Sequence, residues 1–247
     1  MQQYFTDIKN LDLFKIHEED YHHIKDVMRF KRDDKIVVVY DNKKYLCSLL
    51  FENDDVFAKI IEPIEDDLSI YPKITLIYGL PKTEKFELVL QKATELGVST
   101  IVPFLSQRSI IRLDEDKASK KLIRWNKIVK EASEQSRRND IPLITSPITI
   151  KDLEKHLGDI KLVADERMYH EGVNSFDNAI KDLKNKKSIS IIVGPEGGFD
   201  DKEFKEFDKL GIVPVSLGKR ILRSETACIY ALSILEYFKE RDLWDLR

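Results

Sequence analysis

The stretch Ile189-Ser190-Ile191-Ile192-Val193-Gly194-Pro195-Glu196-Gly197-Gly198-Phe199 decides how this chain folds. A β-branched apolar run stops abruptly at a bend carrying three glycines and a proline. The run is continuous rather than alternating, so it predicts a strand buried on both faces, as in a parallel sheet. Gly194, Gly197 and Gly198 allow positive φ and let a ligand lie against bare backbone, while Pro195 fixes one φ. Asp200, with Glu203 three residues on, predicts a capped helix that Gly211 ends. Strand, tight glycine bend, helix: an open α/β sheet places its ligand at such a point.

A second bend of similar character follows one strand later. Ser216-Leu217-Gly218-Lys219-Arg220-Ile221-Leu222-Arg223-Ser224-Glu225-Thr226-Ala227 links a short strand, Ile212 to Val215, to a helix that Ser224 is expected to cap. Neither bend has the G-x-G-x-x-G or G-x-x-x-x-G-K-[ST] spacing, so no pyrophosphate cradle is expected. The ligand should be something other than a dinucleotide or a nucleoside triphosphate.

This pair of bends closely resembles the two cofactor loops of SPOUT-class RNA methyltransferases, and more narrowly those of the RsmE family. Further matches run along nearly the whole chain: His22-His23-Ile24 with Val27-Met28-Arg29, Pro81-Lys82 leading into Gln91-Lys92-Ala93-Thr94-Glu95-Leu96-Gly97-Val98, Gln107-Arg108-Ser109, and Arg124-Trp125 followed by Glu131-Ala132 and Glu134-Gln135-Ser136. Their order and spacing together carry the resemblance. It implies methylation of N3 of one uridine near the decoding centre of 16S rRNA, with S-adenosylmethionine as methyl donor. It also implies a homodimer and a deep C-terminal trefoil knot formed by the two bends. By resemblance the cofactor lies against Ala164 at the end of one strand, against Gly194, Pro195, Glu196, Gly197 and Gly198, and against Leu217, Gly218, Ile221 and Leu222. Two departures stand out. Lys219 occupies a position where the family often has proline, and Asp165-Glu166 a loop it more often builds from apolar and histidine residues.

With 247 residues the chain can hold one large domain or two ordinary ones. A composition of 42% hydrophobic and 34% charged residues is that of a soluble globular protein and excludes a disordered one. No apolar run approaches membrane-spanning length, and the first residues do not begin a signal peptide, so no membrane partner is expected. Cys47 and Cys228 fall in a predicted strand and a predicted helix; as small buried hydrophobes they suit a reducing, cytoplasmic setting. They and five scattered histidines have no metal-ligand spacing, so no metal is expected. A net charge of −3 argues mildly against nucleic acid, so any RNA contact must be local.

Residues 1–70 read as one domain. Lys35 to Tyr40, Lys44 to Leu50 and Val56 to Ile61 predict short strands separated by turns at Asp41-Asn42 and Asn53-Asp54-Asp55, preceded by one helix from His17 to Phe30. That is a small β-barrel, and the resemblance makes it a PUA-like RNA-binding barrel. A polar stretch bracketed by Pro63 and Pro72 marks the boundary. Residues 73–247 then alternate: strands at Ile74 to Tyr78, Thr100 to Leu105, Leu143 to Ser146, Lys161 to Ala164, Ile189 to Val193 and Ile212 to Val215; helices near 84–96, 117–138, 150–157, 174–185, 201–210 and 225–241. The pattern predicts a mainly parallel α/β sheet covered on both faces, which the resemblance makes a SPOUT methyltransferase domain. In the helix near 117–138, Ala118, Leu122, Trp125, Val129 and Ala132 form a buried stripe, with basic residues on other faces. The last helix is apolar on one broad side.

RNA contact is expected at two places. His22, His23, Arg29, Lys31 and Arg32 cluster in the first domain, where a solvated helix face is an equal reading. The densest basic run, Lys117 to Arg138, suits phosphate. With the matched positions, the candidate RNA-binding set is His22, Arg29, Arg32, Lys82, Arg108, Arg124, Arg137 and Arg138.

The chemistry that uridine methylation needs narrows the catalytic candidates. N3 of uridine holds a proton at neutral pH and must lose it, leaving an anion spread over the two flanking carbonyls. A fixed cation aimed there lowers the barrier. Arg223 or Arg220 can supply that cation, and Glu196 or Glu225 can take the proton; Arg223 and Glu196 are the favoured pair. Glu225 also answers a helix dipole, and Glu196 can equally hold its loop closed. Two other readings exist: a non-catalytic RNA-binding or ribosome-assembly protein on the same fold, and a flavodoxin-like enzyme acting on a small molecule. The intact glycine bends and Arg223-Ser224-Glu225-Thr226 oppose the first; the barrel, the basic helix and the missing phosphate motifs oppose the second.

Overall fold

The computed structural model describes residues 1–53, 55–65, 72–81, 83–108, 115–169 and 176–244. The chain divides into two compact units, Met1–Ser69 with Lys130–Ile141, and Ile70–Val129 with Pro142–Arg247.

The first unit is built on a six-stranded sheet. Its strands are β1 (Gln3–Phe5), β2 (Lys9–Asn10), β3 (Leu13–Lys15), β4 (Lys35–Tyr40), β5 (Lys43–Glu52) and β6 (Asp55–Ile64), in the order β1-β4-β5-β6-β3-β2. Only β1 and β4 pair in parallel; the other pairings are antiparallel. Asp41 and Asn42 join β4 to β5 with φ of 50° and 57°, the two left-handed residues of a tight hairpin turn. One core takes side chains from nearly every strand, among them Tyr4, Phe14, Ile36, Leu49 and Ala58, with Ile24 beneath them.

The helix expected from His17 to Phe30 is shorter and composite. Helix α1 (Glu18–His22) passes into one π turn, His23–Val27, whose wide ring closes with Met28 N–H donating to His23 O at 2.9 Å. Arg29 follows with φ 55°, which turns the chain away instead of extending the helix. Strands β1 to β3 are too short to show a hydrophobic period, and sequence reading did not find them.

The second unit matches the alternation closely. Strands β7 (Lys73–Gly79), β8 (Thr100–Phe104), β9 (Leu143–Ile144), β10 (Ile160–Ala164), β11 (Ser188–Val193) and β12 (Val213–Val215) form one parallel sheet, order β12-β10-β11-β7-β8-β9. The apolar run Ile189–Val193 lies in β11, at the centre of this sheet. Ile189, Ile191 and Val193 enter one core layer and Ile192 the other, so the strand is apolar throughout because both faces are covered.

Helices α2 (Thr83–Glu95), α3 (Glu115–Gln135), α4 (Phe176–Ala179), α5 (Asp201–Lys209) and α6 (Ser224–Trp244) cover the sheet. Phe86, Leu90, Trp125, Val129, Ala231 and Leu235 fill the layer shared by α2, α3 and α6. Phe199 and Phe207 fill the opposite one. The segments expected as helices near 150–157 and 174–185 are mostly short 3-10 turns, Ile150–His156 and Leu183–Asn185, beside the single turn of α4. The last turns of α3, from Lys130, count with the first unit.

Candidate active site

The strand order reverses direction between β11 and β7, and the bend leaving β11 opens there, at the carboxyl edge of the sheet. The bend is held in place from three sides. Asp200 Oδ1 accepts from Glu203 N at 2.8 Å and Glu203 Oε2 accepts from Asp200 N at 2.9 Å, the reciprocal cap expected for α5. The remaining oxygen of Glu203 accepts from Gln107 N at 3.0 Å, which ties the cap to the segment after β8. Arg108 donates to Gly197 O at 2.9 Å.

The third tie runs through Ser224, whose hydroxyl was expected to cap α6. Ser224 donates to Gly194 O and stands 2.7 Å from Tyr78 Oη. A hydroxyl has one proton, so Tyr78 supplies the other hydrogen bond. The start of α6 is thus fastened to the bend after β11 and to β7. Burial pushes the Tyr78 phenol well above its ordinary range, which keeps it a donor.

Only Gly198, with φ 63°, takes up the left-handed freedom expected of all three glycines in this bend; Gly194 and Gly197 do not. In the second bend Gly218 has φ 123°. A Cβ added to Gly198 or Gly218 would meet nothing within 4 Å. Bare backbone therefore faces open space in both bends.

That space is a cavity of about 560 Å³, within the usual range for small-molecule sites. All ten residues expected around the cofactor line it: Ala164, Gly194, Pro195, Glu196, Gly197, Gly198, Leu217, Gly218, Ile221 and Leu222. Arg220 and Arg223 line it too. Ile221 is 85% exposed, so its side chain is free to cover whatever enters.

Two further lining residues are Lys85, which the sequence did not single out, and Asp165, from the loop where Asp165-Glu166 departs from the family. Lys85, from α2, places its Nζ 3.0 Å from Glu196 Oε1 and 3.7 Å from Glu225 Oε2. Asp165 is nearly buried and takes Arg167 in a forked pair at 3.0 to 3.2 Å, while accepting Arg167 N at 3.1 Å. The Arg167 guanidinium also lies 4.1 Å from the centre of the Phe204 ring. The Asp-x-Arg spacing was a readable signal for that turn. Nothing in the sequence ties Lys85 to Glu196.

The RNA-binding candidates are dispersed. In the first unit His22 is exposed and lies 2.6 Å from Asp26, Arg29 and Arg32 are exposed, and Arg137 is exposed with φ 58°. Arg138 is largely covered and forks onto Asp140 at 3.0 to 3.2 Å. In the second unit Arg124 forks onto Glu87 at 2.7 and 2.8 Å, and Arg108 lines the cavity. For Arg124 and Arg138, contact with phosphate means exchanging a carboxylate partner. Lys82 lies outside the described residues. Among the described residues no cluster of three potential metal ligands occurs, and no helix is long and apolar enough to cross a membrane.

A parallel sheet whose carboxyl edge carries a cavity between two glycine bends is the architecture of an RNA methyltransferase domain. Residues 69–236 match the family model described as RNA methyltransferase domain, and residues 16–61 match that of an RNA methyltransferase PUA domain. The chain is 36% identical to ribosomal RNA small subunit methyltransferase E of Bacillus subtilis over 97% of its own length and 98% of that protein's. It is 39% identical to the protein of the same name from Mesomycoplasma hyopneumoniae, over 94% and 98%. A solved structure of ribosomal RNA small subunit methyltransferase E from Neisseria gonorrhoeae, bound to S-adenosyl methionine, superposes with a TM-score of 0.84 at 27% identity, over 96% of this chain and 98% of that one. The chain belongs to the ribosomal RNA small subunit methyltransferase E family.

Proposed function

We propose that this chain transfers the methyl group of S-adenosylmethionine to N3 of one uridine in the 16S rRNA of the small ribosomal subunit. The observation that carries the reading is the single cavity that gathers both glycine bends, the end of β10, Arg223 and Glu196. Family membership supports the donor and the RNA: the Neisseria relative is bound to S-adenosyl methionine, and the curated relatives are named for small-subunit ribosomal RNA.

The residues fit such a cofactor. Open space over Gly198 and Gly218 admits a flat nucleoside against main chain, while Leu217, Ile221 and Leu222 offer apolar walls. When bound, S-adenosylmethionine supplies a methyl group on a positively charged sulfur. Arg223 faces the uracil and stabilises the negative charge that develops on its carbonyl oxygens. Glu196 accepts the N3 proton, with Arg220 as the second cation of the wall. The rest of the cavity holds the two reactants in line.

In the same reading residues 1–70 form the PUA-like RNA-binding domain and residues 73–247 the SPOUT methyltransferase domain. The chain crosses from β12 at one edge of the sheet back to Gly194, where Ser224 is fastened, which suits the trefoil knot of the family. The exposed apolar side chains Tyr230 and Tyr237 on α6 suit a homodimer, and a cytoplasmic setting suits the substrate. Incubating the protein with labelled S-adenosylmethionine and small ribosomal subunits, then digesting the RNA to nucleosides, tests the reading. Label in 3-methyluridine supports it; label in another nucleoside, or none, overturns it.

A further inference from the structure

Two carboxylates share one ammonium at the wall of the cavity. Lys85 rises from the first turns of α2 and is hydrogen-bonded by charge and distance to Glu196 at 3.0 Å, while Glu225 of α6 stands behind it at 3.7 Å. Lys85 and Glu196 both line the cavity. Glu225 Oε2 is buried and, among the described residues, accepts no hydrogen bond, so its charge is answered chiefly by Lys85 across that gap. Among the described residues, Arg223 acts on Lys85, and Tyr78 lies within electrostatic reach of both carboxylates. The bond to Glu196 is the main reason the Lys85 ammonium holds its proton more tightly than an ordinary lysine. It therefore stays cationic at neutral pH.

A carboxylate that must collect a proton from uracil N3 has to be ionised and aimed before the base arrives. A cation at hydrogen-bond distance supplies both, because it favours the ionised form and restricts the side chain to one arc. Glu225 in turn keeps the cation from following the carboxylate into solvent.

We propose that Lys85 is a positioning residue for methyl transfer, holding the Glu196 carboxylate ionised and directed at the cavity, with Glu225 anchoring Lys85 from behind. The inference rests on the reading of Glu196 as the base. In the step it serves, the N3–H bond breaks and its proton goes to a Glu196 oxygen. The pair left on N3 forms the N–CH3 bond, the C–S pair stays on sulfur as a neutral thioether, and Glu196 later returns the proton to water.

The test uses the full-length wild-type protein with Lys85→Met, Lys85→Arg and Glu225→Gln. Calorimetric titration with S-adenosylmethionine is read beside single-turnover methylation of small ribosomal subunits at saturating cofactor, across roughly pH 6 to 9. Lys85→Met should slow the plateau rate by about ten- to a hundredfold, since small displacements of a catalytic group cost that much. Its acid limb should move to higher pH, because a carboxylate without its cation ionises less readily. Cofactor affinity should stay unchanged, Lys85→Arg should restore most of the rate, and Glu225→Gln should fall between wild type and Lys85→Met. A Lys85→Met protein with the wild-type rate and pH profile overturns the proposal. So does one whose loss lies wholly in cofactor affinity, which makes Lys85 a cofactor contact. Absence of transfer by the wild-type protein overturns the functional reading itself and this inference with it.

Discussion

Gly79 and Pro195 are packed so tightly that a single added carbon cannot fit between them: a Cβ on Gly79 would stand 2.4 Å from Pro195 Cδ and 2.7 Å from its nitrogen. The last residue of β7 is thereby the back wall of the bend that leaves β11. Its smallness places that bend, and the bend places the cavity.

Gly79→Ala therefore should displace the Gly194-Pro195 backbone, at a stability cost of about 1–3 kcal/mol for overpacking. Cofactor affinity should fall with it. Chemical denaturation paired with calorimetric titration reads both effects; unchanged values for each would mean that the bend yields without consequence.

Gly197 calls for the opposite expectation about stability. Its φ is not positive and an added Cβ would make an ordinary 3.4 Å contact with Arg108 Cβ, so the fold should tolerate a side chain there. Gly197→Val should weaken S-adenosylmethionine binding by about a hundredfold, through crowding worth up to roughly 3 kcal/mol. Its circular dichroism and melting curve should match wild type. Unchanged titration for this variant would remove the bend from the cofactor site.

Arg223→Ala should separate rate from affinity. A cation used on charge that develops during reaction costs roughly 10²–10³-fold in turnover when removed, and little in ground-state binding. Single-turnover rates and cofactor titration on the same preparation read the two independently. A normal rate would pass the role to another group, with Arg220 next in line.

A pH signature should come from the first unit. Lys130 Nζ lies 2.7 Å from Asp20 and 3.1 Å from Glu134, with both carboxylates and the lysine mostly covered. Burial outweighs the attraction of Lys130 and pushes the Glu134 carboxyl up to about 7. Its folded value exceeds the unfolded one of 4.5, so the native state binds the proton more readily. The stability this group contributes is full below the unfolded value and is lost as pH rises through the folded one. Unfolding free energy should thus fall between about pH 5 and about pH 7.5, and Glu134→Gln should flatten that slope. Equal slopes for both proteins would contradict the assignment.

Binding to small-subunit RNA should depend steeply on salt if the scattered arginines meet phosphate. Raising monovalent salt from about 50 to about 200 mM should cost at least tenfold in affinity. A flat response would assign binding to uncharged contacts.

What could be read from the chain was whatever burial imprints on residue order. The uninterrupted Ile189–Val193 run announces a strand covered on both faces, and a glycine bend between such a strand and a helix marks where an α/β sheet places a ligand. The ten residues that the resemblance places around the cofactor line one cavity. The features that were not legible depend on distance between segments. The Lys85–Glu196 pair joins α2 to the bend after β11, and Ser224 ties the start of α6 to Gly194 and Tyr78. The π turn at His23–Val27 and the three short strands β1 to β3 leave no period to detect.

The most direct measurement is isotope transfer from methyl-labelled S-adenosylmethionine to small ribosomal subunits, resolved to single nucleosides and run with wild type beside Arg223→Ala. The account predicts label in 3-methyluridine at one site for wild type, and a rate lower by orders of magnitude for the variant, whose cofactor affinity stays intact. Label in any other nucleoside, or equal transfer by the two proteins, would contradict it.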